Sequence, residues 1–328
     1  MTISPSAMFH AMANSLAGPP ACLFTFHRAC KEQDWESLPD RGFYLSVDLL
    51  DHLLGHLAET GWTVTTMDEV HAFLAEGGRG ERRLVNLSID DCYRDTYELL
   101  VPVFRRHGVP VTLHVTTGIP DGSMTLWRAG LETLIAAREE IVADGQRVEL
   151  RDAAGRRATY QALCMAWEGP EEVELYREFC AENGADADAL QARHAITWDM
   201  LQELRRDPFV EIGAHTISHP RIAALAEEDA AREMGGSAAR LRDVLGAPVR
   251  HFAFPYGRAG DCGPRDFALA ERLGFATAAT TRKGIARRGA DPLRLPRNTL
   301  NGAHRSMMAV EAHLSGATGL AARVLGRV

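Results

Sequence analysis

Residues 84–115 read LVNLSIDDCYRDTYELLVPVFRRHGVPVTLHV. The run LVNLSI (84–89) has the length and apolar, β-branched content of a strand, and residues 95–107 carry apolar side chains at the three- and four-residue spacing of a one-sided helix. Gly108 stands where a left-handed residue ends such a helix, and VPVTLHV (109–115) is a second strand. Two strands joined through a helix lie parallel, because only a long crossover returns the chain to the same end of the sheet.

The alternation continues in both directions. Strand-like runs fall at 22–26, 62–66, 209–215, 251–256, 276–280 and 293–296. Helical patterns fall at 46–60, 67–76, 197–206, 226–245 and 264–273, and Gly61, Gly246 and Gly274 repeat the punctuation of Gly108. About seven or eight parallel strands suffice to close a barrel, so the expected fold is α/β, a distorted (β/α) barrel in a single domain over residues 1–328. Residues 121–196 interrupt it with a helical pattern near 126–142, a polar patch from Asp144 to Thr159 and an acidic helical region near 170–182. A segment of that length is no ordinary connection and reads as a mostly helical insertion, either a lid over the site or a peripheral packing or dimer element.

Of the 328 residues 46% are hydrophobic and 24% charged, which is ordinary for a chain that buries a sizeable core. With 36 Lys plus Arg against 44 Asp plus Glu, the formal charge of −8 argues against nucleic acid as the main partner. Six cysteines, at 22, 30, 92, 164, 180 and 262, include no C-x-x-C pair, so neither a disulfide framework nor a thiolate zinc site is suggested. Met1 to Pro19 lacks a basic segment followed by a long apolar one, and no apolar run approaches about 18 residues. The expectation is a cytoplasmic protein with no integral membrane segment, free to form homo-oligomers.

In parallel α/β folds the reactive groups gather at the carboxyl ends of the strands, where the loops converge. Asp90 and Asp91 follow LVNLSI, His215 ends FVEIGAH, His27 follows CLFTF, Tyr256 follows HFAFP, and Arg297 follows LRLP. Adjacent ionised carboxylates repel one another unless a cation or strong donors offset the repulsion. A divalent metal would do so, with one carboxylate as ligand and the other as base toward an activated water; a plain helix cap is the alternative. His215-Thr-Ile-Ser-His219 sets two imidazoles four apart, a spacing at which both can face one way on a helical turn and ligate zinc. Thr216 stands where the H-E-x-x-H pattern needs glutamate, which argues against a metalloprotease of that type.

SIDDCYRDTYELLVPVFRRHGVPVTLHV (88–115), EIGAHTISHP (211–220) and HFAFPYG (251–257) resemble successive motifs of the polysaccharide deacetylases, the family 4 carbohydrate esterases with the NodB homology domain. FTFHR (24–28) is similar to a segment often found ahead of them. The resemblance spans residues 22–120 and 196–300 and leaves the insertion unaccounted for. It implies a divalent metal ion, usually zinc, held by Asp91, His215 and His219, with Asp90 as the base and the backbone N–H of Tyr256 holding the oxyanion on a turn set by Pro255. The implied substrate is an N-acetylated sugar or oligosaccharide from which an acetyl group is removed, and the expected cytoplasmic location favours a soluble or lipid-linked one over a finished wall polymer. Hydrolysis of another small amide or formamide, and a non-catalytic metal-binding barrel, are the competing functions.

The chain departs from the family pattern at three places. Cys92 replaces the glycine usual after the two aspartates, and Ala253 replaces an arginine that many members carry, so nothing in the sequence orients Asp90. LRLPRNTL (293–300) holds no histidine where the family takes its general acid. His27, His251 and His304 are the candidates for that acid, His27 being the one set beside Asp90 and Tyr256 among the catalytic residues.

Overall fold

The computed structural model describes residues 20–76, 82–302 and 306–324. Its strands are β1 (Ala21–Phe26), β2 (Arg28–Cys30), β3 (Tyr44–Ser46), β4 (Trp62–Val64), β5 (Arg83–Asp91), β6 (Val111–Val115), β7 (Glu140–Ala143), β8 (Gln146–Glu149), β9 (Val210–Ala214), β10 (His251–Ala253), β11 (Thr277–Ala279) and β12 (Asn298–Thr299). Seven of them form a parallel path in the order β11-β10-β9-β6-β5-β1-β12, and β4 pairs with the first residues of β5 on the edge that β6 takes over further along. Leu295, just ahead of β12, makes a parallel bridge to Ala279 of β11, which brings the two ends of the path together and curls the sheet into the expected distorted barrel.

Alternation along the strands divides the core between two faces. Phe24 and Phe26 of β1, Leu87 and Ile89 of β5 and Leu113 of β6 share one buried cluster with the leucines of the helix Val47–Glu59. Each leucine so buried contributes about 1.5–3 kcal/mol. That helix starts where Ser46 accepts the Leu49 N–H at 3.2 Å, satisfying one of the orphan donors of its first turn. On the other strand face the buried residues are largely polar, among them Thr25, Asn86, Ser88, Asp90, Thr112 and His114.

Two expectations need correction in detail. Residues 293–296 are not a strand: Pro292–Arg294 is a 3-10 turn, Leu295 alone bridges to β11, and the ladder resumes at Asn298–Thr299. Pro292 and Pro296 have no N–H to donate to a ladder. The helix expected over 95–107 begins as a π turn, Thr96–Leu100, and becomes an α-helix only at Val101–His107. Pro102 offers no N–H to the carbonyl of Glu98, while the Val101 N–H reaches back to Thr96.

Between β6 and the helix Trp198–Leu204 lie four helices, Trp127–Ala137, Ala153–Ala166, Glu172–Glu182 and Ala187–His194, and the antiparallel hairpin β7–β8. The hairpin departs from the helical pattern read near 126–142, which stops at Ala137. Its turn is Asp144-Gly145, at φ 52° and 70°, the two left-handed residues that a tight hairpin needs. The insertion packs around a cluster of its own, with Trp127, Leu131, Ile135, Tyr176 and Phe179. Among the described residues no helix is long and apolar enough to cross a membrane. All six cysteines are buried free thiols.

Candidate active site

Asp91 and Cys92 leave β5 in the left-handed region, at φ 66° and 64°, which breaks the strand's alternation. Asp91 Oδ1 comes to 3.5 Å from His215 Nε2 and 3.4 Å from His219 Nε2. His215 stands one residue beyond β9, with Nδ1 2.8 Å from the Ala253 carbonyl. The two histidines are not on a helical turn, as their spacing suggested. The chain bends instead, with Thr216 at φ 69° and His219 at φ 60°, and the Thr216 hydroxyl accepts the His219 N–H at 3.0 Å. Glu233, on the helix Glu227–Leu245, holds the bend from outside by accepting the N–H groups of Ile217 and Ser218, both at 2.9 Å. No local signal in the sequence pointed to Glu233. Among the described residues, five of the six non-glycine positions with positive φ are Asp91, Cys92, Thr216, His219 and Tyr256, all at this end of the barrel. Each costs on the order of 1 kcal/mol or more, strain that concentrates where side chains must be aimed.

The donor set fits a divalent cation. Asp91, His215 and His219 offer ligand atoms within 4.8 Å of one another, and Asp91 Oδ1 is buried with no hydrogen-bond partner. His215 directs Nδ1–H to the Ala253 carbonyl, which leaves the Nε2 lone pair facing that same carboxylate oxygen. Burial lowers the His215 pKa to about 4, the nearby Asp90 only partly opposing this, so the imidazole is neutral near pH 7. A lone pair against an anionic oxygen is repulsive unless a cation lies between them. Three protein ligands also leave a position for water or substrate, as a catalytic zinc site requires.

Asp90 is not left without a partner. Arg297, fully buried, donates from its two terminal nitrogens to the two Asp90 oxygens, each at 2.7 Å. One of these nitrogens also reaches Ser88 Oγ at 2.9 Å, and Nε donates to the Thr280 carbonyl at 3.1 Å, so the guanidinium is held on three sides. Burial alone would raise the Asp90 pKa; the Arg297 charge and hydrogen bonds outweigh it and hold the carboxyl well below the usual carboxylate range. The sequence showed Arg297 at a strand end but gave it no role.

Tyr256, at φ 59°, lies with its ring 4.8 Å from that of His219, and Arg221 stacks over it at 4.7 Å. No acceptor among the described residues takes its backbone N–H. His27 is half-buried at the exit of β1, stacked on Phe43 at 4.7 Å and within the field of Asp91, Asp90 and His219. Burial lowers its pKa, with the two aspartates pulling the other way. His251 is excluded as an acid at this site: it begins β10, at the opposite mouth, and bonds Thr277 Oγ1 at 2.9 Å and Asp68 Oδ1 at 3.2 Å. His304 lies outside the described residues. Cys92 is fully buried, its thiol packed against the carbonyls of Ile89 and His114.

Known proteins share this family pattern and this fold. The family model described as polysaccharide deacetylase matches residues 77–277. The solved deacetylase PplD of Streptococcus pyogenes, in complex with acetate, is similar at TM-score 0.62 and 16% identity, over 90% of this chain and 98% of its own. IcaB from Ammonifex degensii is similar at 0.59 and 18%, over 90% and 98%. A de-N-acetylase from Aggregatibacter actinomycetemcomitans is similar at 0.58 and 14%, over 90% and 99%. No curated protein matches the sequence. At these identities the solved structures speak for the fold, while the family match covers more than half of the chain: the chain belongs to the polysaccharide deacetylase family.

Proposed function

We propose that the protein removes the N-acetyl group from an amino-sugar unit of a soluble or lipid-linked glycan, with one divalent ion, zinc by the chemistry of its donors, held by Asp91, His215 and His219. The observation that carries this is the buried, unpartnered Asp91 oxygen facing two imidazoles, with a second carboxylate beside it that the ligand set does not need. When bound, such a metal makes a water acidic and polarises the amide carbonyl. Asp90 is the group assigned to take up the proton that an attacking water would lose. A carboxylate held this firmly ionised is a weak base, so its contribution is a fixed position more than a driving force, and the Arg297 fork supplies the position. The Tyr256 N–H is assigned to the oxyanion. When the C–N bond breaks, its electron pair stays on nitrogen, and the departing amine needs a proton. His27, half-buried at the exit of β1 and within the field of both aspartates, is assigned to deliver a proton that it takes up from solvent, while the proton lost by the water is carried off by Asp90.

The test is acetate release from N-acetylglucosamine oligosaccharides by zinc-loaded protein, before and after chelation. Formate release from formamides without acetate would move the assignment to the second hydrolytic function. Stoichiometric zinc with no product from either substrate class would make the barrel a binding protein.

A further inference from the structure

Arg28 follows His27 in the chain, and the chemistry above makes no use of it. It is only 5% exposed. A guanidinium in that position destabilises the fold unless its charge is paired and its donors are met. Its Nε donates to Asp95 Oδ2 at 2.5 Å, and a terminal nitrogen donates to His194 Nδ1 at 3.2 Å. Its Cζ lies over the rings of Tyr44, 4.8 Å from the centroid, and Tyr93, at 4.3 Å.

These partners come from three parts of the chain. Tyr44 belongs to β3, which pairs with the strand of Arg28. Tyr93 and Asp95 belong to the turn that follows Asp90 and Asp91. His194 ends the last helix of the insertion. Burial, with the Arg28 charge adding to it, lowers the His194 pKa to about 3, so the ring is neutral. An Nδ1 that accepts from Arg28 leaves Nε2–H to donate to Thr133 Oγ1, 2.6 Å away on the first helix of the insertion. One guanidinium thus joins the insertion, the exit of β1 and the aspartate turn.

We propose that Arg28 is a positioning residue for the reaction: it fastens the insertion to the aspartate turn and thereby holds His27, its chain neighbour, at the metal-binding end. The insertion is then fastened to the barrel beside the site and is not a lid. Lysine cannot replace Arg28, because a single ammonium cannot pair with Asp95, meet His194 and stay within reach of both rings.

The kinetic part of the test rests on the deacetylase reading; the structural part does not. Arg28→Lys and His194→Gln are made in the full chain and loaded with zinc. Zinc content, kcat and KM for acetate release from N-acetylglucosamine oligosaccharides, the NMR signals of the His27 ring, and the rate of cleavage within residues 121–196 by trace protease are compared with wild type. Arg28→Lys is expected to keep full zinc while kcat falls about tenfold or more with KM nearly unchanged, since misplacing a reacting group costs rate before it costs binding. The His27 ring signals should shift and the insertion should become easier to cleave. His194→Gln keeps the Arg28–Asp95 pair and serves where Arg28→Lys does not fold; it is expected to open the insertion to protease and lower kcat in the same sense. A kcat within twofold of wild type in both variants, or a loss of kcat matched by loss of zinc, would overturn the proposal. If the wild type itself releases no acetate, the deacetylase reading fails by itself; unchanged His27 signals and unchanged cleavage in the variants would then overturn the role of Arg28.

Discussion

The barrel carries a cluster of carboxylates and imidazoles at each mouth, and the two differ in their hydrogen bonds more than in their residue types. Asp91, His215 and His219 stand at the carboxyl ends of the strands, Asp68, Glu211 and His251 at the opposite mouth, and within each cluster the ligand atoms lie within 4.8 Å of one another. In the second cluster Glu211 accepts the N–H groups of Met67 and Asp68, at 2.7 and 3.0 Å, and the Thr112 hydroxyl at 2.7 Å. Asp68 pairs with Arg250, and His251 has one ring nitrogen on Thr277 and the other on Asp68. Every anion there already meets a donor, and the cluster anchors the start of the helix Met67–Ala75. In the first cluster Asp91 Oδ1 meets none, and the one N–H of neutral His215 is spent on a carbonyl. Acids and histidines drawn together are not by themselves a candidate metal site; what separates these two clusters is that one has its acceptors met by donors and the other leaves a buried carboxylate oxygen facing two imidazoles without one.

The sharpest way to break this contrast is to count metal. The wild-type chain is expected to bind one equivalent of zinc, and Asp91→Ala to bind none and lose all measurable turnover, checked by elemental analysis and acetate release. Two equivalents in the wild type, or one surviving in the variant, would mean that the Glu211 cluster also binds. Asp90→Asn should keep the metal and lose about 10²–10⁴-fold in rate, the scale of a general base; equal loss of metal would make Asp90 a ligand. Arg297→Gln leaves a buried carboxylate without its counter-charge and should cost about 3–5 kcal/mol in urea unfolding.

Buried His215 gives a pH signature. The His215 pKa falls from 6.5 to about 4 on folding, so between those values the unfolded chain binds more protons than the folded one. Its contribution is complete above the higher value and is lost as pH falls toward the lower, a change on the order of 3 kcal/mol. Urea midpoints of the metal-free protein should therefore fall as pH drops through that window, and His215→Gln should flatten the profile. The smallest effect belongs to the opposite mouth: Glu211→Gln should leave zinc content and rate within about twofold while costing about 1–3 kcal/mol, because it leaves a buried acceptor network one partner short. A large loss of rate there would join two ends that the hydrogen bonds keep apart.

The strand–helix alternation, the left-handed glycine ends such as Gly108 and Gly246, and the placing of Asp90, Asp91, His215 and His219 at strand ends were all legible in the chain; the structure bears out the barrel and brings ligand atoms of Asp91, His215 and His219 within 4.8 Å of one another. The hairpin around Asp144-Gly145 had a local signal that the neighbouring helical periodicity masked. Glu233 had none, and Arg297 had a place at a strand end but no sign of its partner. Arg297 reads as one more arginine after a proline, and its partner Asp90 lies 207 positions earlier.

What the chain determines by itself is whatever a few consecutive residues decide: the period of apolar side chains, where a helix begins and ends, and the adjacency of two carboxylates. These are short-range matters of sterics and hydrogen bonding. Which guanidinium meets Asp90, which carboxylate oxygen goes without a donor, and which of two acid–histidine clusters is already satisfied were decided only when the sheet curled and brought β5, β9 and β12 around one buried space. Electrostatic pairing depends on distance in space and on the loss of water, and the order of residues encodes neither.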